Sequence, residues 1–102
     1  MGFLDSLLNR VSGKSAGSSV TYGGGSGDTI QDAIVIRGAR NEAAGVQAEY
    51  GYIRQELGTG CKGQSQSLLK EGDRYFDAIT VELSDGTERV FYFDVTEFFG
   101  KW

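Results

Sequence analysis

The chain has 102 residues, of which 39% are hydrophobic and 24% are charged, and it carries a net charge of −4. This length supports one hydrophobic core and excludes two independent ones. A net negative charge has the wrong sign for a surface that binds phosphates by releasing counterions, so nucleic acid is not an expected partner.

The first eleven residues are predicted to form a short amphipathic helix. Its apolar side chains recur at the spacing of one helix face: Phe3, Leu4, Leu7, Leu8 and Val11. A helix this short is not stable alone in water, so we expect it to dock on its own domain, a partner chain or a membrane surface. Residues 12–28 are rich in glycine and serine and are predicted to be a flexible linker. Within it, Val20, Thr21 and Tyr22 could add a short edge strand.

Residues 29–102 are predicted to form a single α+β domain. A run of isoleucine and valine predicts a strand from Thr29 to Arg37. Apolar spacings of three and four predict a helix over residues 41–57, with Asn41 as its N-cap and Gly58 after its end. Further strands are predicted over residues 64–70, 75–83 and 88–95. The expected fold is therefore β-α-β-β-β, with one helix packed on a mostly antiparallel sheet.

The predicted helix has an apolar stripe and an acidic side. The stripe consists of Val46, Tyr50, Ile53 and Leu57. Glu42, Glu49 and Glu56 recur every seven residues on another side, where we expect them to face water. Gly45 and Gly51 lie inside the helix at a cost of roughly 1 kcal/mol each relative to alanine. A packing reason for these glycines is therefore expected, and close approach to the sheet is the simplest one.

The last two predicted strands form a hairpin whose register follows from its turn. Asp85-Gly86 favours a two-residue type I′ turn, in which facing residues have numbers that sum to 171. Both faces of the hairpin are then largely apolar. The second face carries two facing pairs, Ile79 with Tyr92 and Val81 with Val90.

A sheet with one helix usually shows its other face to water, so something is expected to cover this second face. The candidates are the N-terminal helix, a second copy of the chain, and the C-terminal aromatic residues Phe98, Phe99 and Trp102. Left uncovered, the face would be an interaction site.

The same register places Asp77 opposite Asp94. Two facing carboxylates repel each other, which calls for a shared proton, a bound cation, or a nearby arginine such as Arg74 or Arg37. The alternative is that the strands separate there and both carboxylates lie in water. The residues that could complete a polar binding site are Tyr75, Asp32 and Glu97.

The leading hypothesis is a small non-catalytic protein-interaction module that self-associates through the second sheet face and the aromatic C-terminus. The chain has no histidine, and no base is evident that would activate Cys61, so no catalytic residue, metal site or cofactor is predicted. One alternative is a small enzyme, or a ligand- or cation-binding protein, that uses Asp77 and Asp94. Another is a peripheral membrane protein tethered by residues 1–11. A single cysteine and the lack of a signal peptide favour the cytoplasm, where the expected partner is protein, self or other.

Overall fold

The computed structural model describes residues 20–58 and 60–101. Its elements are β1 (Thr21–Gly24), β2 (Ile34–Arg37), α1 (Glu42–Leu57), β3 (Lys62–Glu71), β4 (Arg74–Glu82) and β5 (Glu88–Asp94). The strands form one sheet in the order β1-β2-β5-β4-β3, in which β2 and β5 are parallel and the other neighbours are antiparallel. The predicted fold class, one helix on a mostly antiparallel sheet, is confirmed.

The N-terminal part of the sheet contains the edge strand that the sequence suggested, but the strand after it differs from the prediction. The short strand around Val20 to Tyr22 is present as β1, which adds an edge to the sheet. The next strand is shorter than predicted because Thr29 turns the chain: its hydroxyl and carbonyl oxygens accept the backbone N–H of Asp32 at 3.2 and 3.1 Å. Ile30 and Asp32 therefore lie in the β1–β2 loop. The helix predicted for residues 1–11, the linker before Val20 and Trp102 lie outside the described residues.

Helix α1 has the ends that its sequence predicts. The Asn41 side chain accepts the N–H of Ala44 at 2.9 Å, and Gly58, at φ 79°, donates its N–H to the carbonyl of Arg54 at 2.7 Å. The buried face of the helix is rotated from the predicted stripe and consists of Gly45, Ala48, Glu49 and Ile53. The expectation that Glu49 faces water is wrong, since this residue has 0% exposure.

The C-terminal segment closes the core beneath the start of α1. A Cβ atom at Gly45 would collide with the ring of Phe98, which has 2% exposure. The carbonyl of Lys101 accepts the N–H of Glu42 at 2.8 Å. Phe99 stacks on Tyr75 at 4.0 Å between ring centroids. Phe98 is thus a core residue, so the packing reason for Gly45 is this aromatic side chain and not the sheet.

The predicted two-residue reversal at Asp85-Gly86 is wrong. Leu83 donates its N–H to the carbonyl of Thr87 at 2.7 Å, which closes a three-residue loop, and Gly86 adopts a φ of 91°. This is a type I turn followed by a left-handed residue. Asp85 favours it because its carboxylate accepts the N–H and the hydroxyl of Thr87 at 2.9 and 2.7 Å. Facing residues consequently have numbers that sum to 170, as in Ile79 with Phe91.

This shift of one residue redistributes the side chains between the two faces of the sheet. The face under α1 contains Ile79, Val81, Phe91 and Phe93, each with 0 or 1% exposure. Val90 and Tyr92 lie on the side away from α1, which we call the outer face, so the predicted single face with Ile79 and Val81 does not exist. The apolar residues of the outer face are Val35, Leu69, Phe76, Ala78, Val90 and Tyr92. The face under α1 is therefore largely apolar, whereas the outer face combines its six apolar residues with Ser65, Ser67 and Thr80 near its centre and with charged residues at its ends.

Candidate functional site

The outer face has an uncharged centre. Ala78 and Thr80 on β4 face Tyr92 and Val90 on β5, and all four side chains are half-buried. Leu69, further out on the edge strand β3, is 37% exposed. Helix α1, the one helix in the described part of the chain, packs on the opposite side of the sheet. Within the described residues, no helix therefore covers the centre of the outer face.

A cleft of about 560 Å³ opens at one end of the outer face. The β1–β2 loop forms one wall with Ile30 and Asp32, and the β3–β4 turn region forms another with Glu71 and Arg74. Between these walls, the cleft is lined by residues of the outer face: Val35, Phe76 and Asp94. Its volume lies within the roughly 300–1,000 Å³ typical of small-molecule sites.

An ion pair with the buried carboxylate of Asp94 holds Arg74 at this cleft. Asp94 is 4% exposed, and its Oδ2 atom accepts Nε and Nη2 of Arg74 at 2.7 and 2.6 Å. Its Oδ1 atom accepts the N–H and the hydroxyl of Thr96 at 3.1 and 2.7 Å. The Asp94 carboxylate is thus satisfied on both oxygens, while the side chain of Arg74 remains 51% exposed.

The structure brings together only part of the predicted polar site. Asp77 and Asp94 do not face each other, because the register places Asp77 opposite Phe93 under α1 and Asp94 on the outer face. Of the suggested arginines, Arg74 is the one bound to Asp94, and Asp32 lines the same cleft. The two other residues lie elsewhere: Tyr75 stacks on Phe99, and Glu97 accepts the N–H of Gly38 at 2.6 Å.

A pair of buried carboxyl groups between α1 and β4 was missed by the sequence analysis. Asp77, which is 7% exposed, accepts Nε2 of Gln66 at 3.1 Å. Within the described structure, no donor forms a hydrogen bond to either side-chain oxygen of Glu49. Burial, followed by the neighbouring Asp77, raises the pKa of Glu49 to about 10. Glu49 is therefore protonated at neutral pH, and its carboxyl O–H can donate a hydrogen bond to Asp77.

A second, smaller cleft of about 230 Å³ contains Cys61. The thiol lies 3.7 Å from the carbonyl oxygen of Gly58. The carboxylate that lines this cleft belongs to Asp85, and the hydrogen bonds from Thr87 hold the pKa of Asp85 below its ordinary value. Asp85 is thus a poor base for activating the thiol, and the cleft offers no nucleophilic pair.

No protein-family model matches the chain, and no curated protein or solved structure is significantly similar to it. Over the described residues, no helix combines the length and apolar character needed to cross a membrane. In the same part of the chain, no group of three or more histidine, cysteine, aspartate or glutamate side chains could hold a metal ion.

Proposed function

We propose that the protein is a small non-catalytic interaction module that self-associates through the centre of its outer face. The observation that supports this most strongly is the uncharged surface on the side of the sheet away from α1, where Ala78, Val90 and Tyr92 lie beside small hydroxyl side chains. A single-helix domain ordinarily shows water a polar sheet face, and an exposed apolar patch is typical of a binding surface. The sequence suggested Ile79, Val81 and Phe98 as part of the interaction surface. These three residues are buried, so the surface proposed here does not include them.

A large side chain next to a small one offers a second copy of the chain a way to fit this face. The large side chain of Tyr92 lies directly beside the small side chain of Ala78 on the neighbouring strand. A two-fold axis between them would place Tyr92 of each copy over Ala78 of the other, as an isologous interface requires. The charged residues lie toward the ends of the face, with Glu82 and Glu88 at one end and Arg74 with Asp94 at the other. The two-fold axis that places Tyr92 over Ala78 runs parallel to the strands, so it also brings Glu82 and Glu88 of both copies together, and the contacts at the centre must outweigh this repulsion.

The proposed partner is thus protein, and neither nucleic acid nor a cofactor is part of the mechanism. A cytoplasmic location belongs to the proposal because it would keep the single cysteine, Cys61, reduced. Membrane tethering through residues 1–11 concerns a segment outside the described residues, and nothing in the described fold supports it.

Sedimentation of the full chain over a range of concentrations tests the proposal. The wild-type protein is expected to shift from monomer to dimer as concentration rises. Tyr92→Lys and Ala78→Lys, which place a charge in the centre of the outer face, are expected to remain monomeric. Gln47→Lys, on the exposed side of α1, makes a similar charge change away from the face and should dimerise like the wild type.

Circular dichroism controls for folding, because the outer-face variants must retain the wild-type spectrum for the comparison to be valid. A wild-type chain that stays monomeric at its solubility limit would overturn the proposal. So would dimerisation of folded Tyr92→Lys and Ala78→Lys with wild-type affinity.

A further inference from the structure

The larger cleft has fixed positive charge and exposed negative charge on its walls. Arg74 is held from behind by buried Asp94, so its position is set before any ligand arrives. The guanidinium group has five N–H donors, and the bonds to Asp94 use Nε and Nη2. The remaining donors of this half-exposed side chain are suited to a carboxylate, which guanidinium groups bind in a planar geometry.

Carboxylates in the same cleft disfavour a ligand that carries only negative charge. Asp94 neutralises Arg74, which leaves the exposed side chains of Asp32 and Glu71 without a cation of their own in the lining. A simple anion at Arg74 would be repelled by both. A ligand that carries both an ammonium group and a carboxylate would instead place an opposite charge at each of the two walls, at Asp32 and at Arg74.

The lining between the charged walls is apolar. Val35 and Phe76 lie there, and Ile30 adds an apolar side chain from the β1–β2 loop. These residues would receive the hydrocarbon part of a ligand, while polar groups on the walls fix its orientation.

From this arrangement we propose that the cleft binds a small zwitterion with an apolar side chain, namely a free α-amino acid. Arg74 takes the carboxylate, Asp32 takes the ammonium group, and the surface around Phe76 takes the side chain. This inference does not depend on self-association, since it rests on the cleft at one end of the outer face and not on the contacts at the centre of that face.

The test is an NMR titration of the isotope-labelled full chain with leucine, read at the backbone amides of Gly25, Val35 and Phe76. Two analogues each remove one charge: N-acetyl-leucine lacks the ammonium group, and leucinamide lacks the carboxylate. Leucine is expected to give saturable shifts at these amides. Each analogue should bind about tenfold more weakly or worse, as the loss of a charge-assisted hydrogen bond implies.

Variants separate the roles of the two walls. Asp32→Asn and Arg74→Lys should each weaken leucine binding by about tenfold. Asp73→Asn makes the same charge change as Asp32→Asn at an exposed position of the neighbouring β3–β4 turn, outside the cleft lining, and should bind like the wild type. Because Arg74→Lys also alters the bond to buried Asp94, Asp32→Asn provides the comparison should the arginine variant fail to fold.

The absence of saturable shifts with leucine would overturn the inference. Equal affinity for leucine, N-acetyl-leucine and leucinamide would also overturn it, because the charges on the walls would then play no part. Ligand binding is read at the cleft and self-association by sedimentation, so either proposal can fail without the other.

Discussion

Replacing Glu49 with glutamine should stabilise the protein at neutral pH. Glu49 is buried beside Asp77 with a pKa of about 10, against 4.5 for the ordinary side chain. At pH 7 the carboxyl group is ionised in the unfolded chain, so folding must take up a proton. One pKa unit corresponds to about 1.4 kcal/mol, so this uptake costs on the order of 3 kcal/mol at pH 7. The amide of Glu49→Gln can donate to Asp77 without this cost.

The sign of the pH dependence follows from the direction of the shift. Because the folded pKa of Glu49 is raised, its contribution to stability is most favourable below pH 4.5 and is lost progressively as the pH rises toward 10. Urea unfolding of both proteins between about pH 5 and about pH 9 measures this. The advantage of Glu49→Gln over the wild type should grow by about 1.4 kcal/mol per pH unit.

Glu56→Gln is the matched control, since it removes an exposed carboxylate from the same helix. Its stability relative to the wild type should stay nearly constant over the same pH range. A pH-independent difference between Glu49→Gln and the wild type would refute the reasoning. Destabilisation by Glu49→Gln at every pH would do the same.

Three further predictions concern the two glycines inside α1 and the ion pair between Arg74 and buried Asp94, and each is checked by chemical denaturation. Gly51→Ala should raise the free energy of unfolding by about 0.5–1 kcal/mol, because the nearest atom to its new Cβ is a tyrosine hydroxyl at 4.0 Å; a loss of stability would contradict this. Gly45→Ala should lower the free energy of unfolding by about 1–3 kcal/mol, because the new Cβ atom would collide with the ring of Phe98. In a Phe98→Leu background the same change should cost much less, and equal costs in both backgrounds would show that the ring is not the cause. Arg74→Ala should cost about 1–3 kcal/mol because it removes the cation bound to buried Asp94, and a variant as stable as the wild type would count against a structural role for the pair.

The parts of the fold that local chemistry determines were predictable from the sequence. Asn41 and Gly58 mark the ends of α1 because capping depends on groups within one helical turn. The hairpin register was not predictable in the same way, because Asp85-Gly86 is compatible with both two-residue and three-residue loops. In the structure, hydrogen bonds that Thr87 donates to the Asp85 carboxylate favour the longer loop, which shifts every side chain of β5 relative to β4.

The candidate sites show the same limit. Arg74 was one of the two arginines suggested as a partner for Asp94, and the structure shows this ion pair. The predicted facing of Asp94 and Asp77 was wrong, because the predicted register was displaced by one residue. The burial of Glu49 was missed because this residue recurs with Glu42 and Glu56 every seven residues, a spacing that indicated an exposed side of the helix. Its actual burial follows from a small rotation of α1, which the close approach of Gly45 to Phe98 permits. Such a rotation depends on contacts distant in sequence.

Intermolecular NOEs between isotope-labelled and unlabelled copies of the full chain test the central claim most directly. If two copies pack through the outer face, the methyl group of Ala78 in the labelled copy should show NOEs to the ring of Tyr92 in its partner. A concentrated mixed sample with no intermolecular NOE at Ala78, Val90 or Tyr92 would contradict the claim, even if the protein were dimeric.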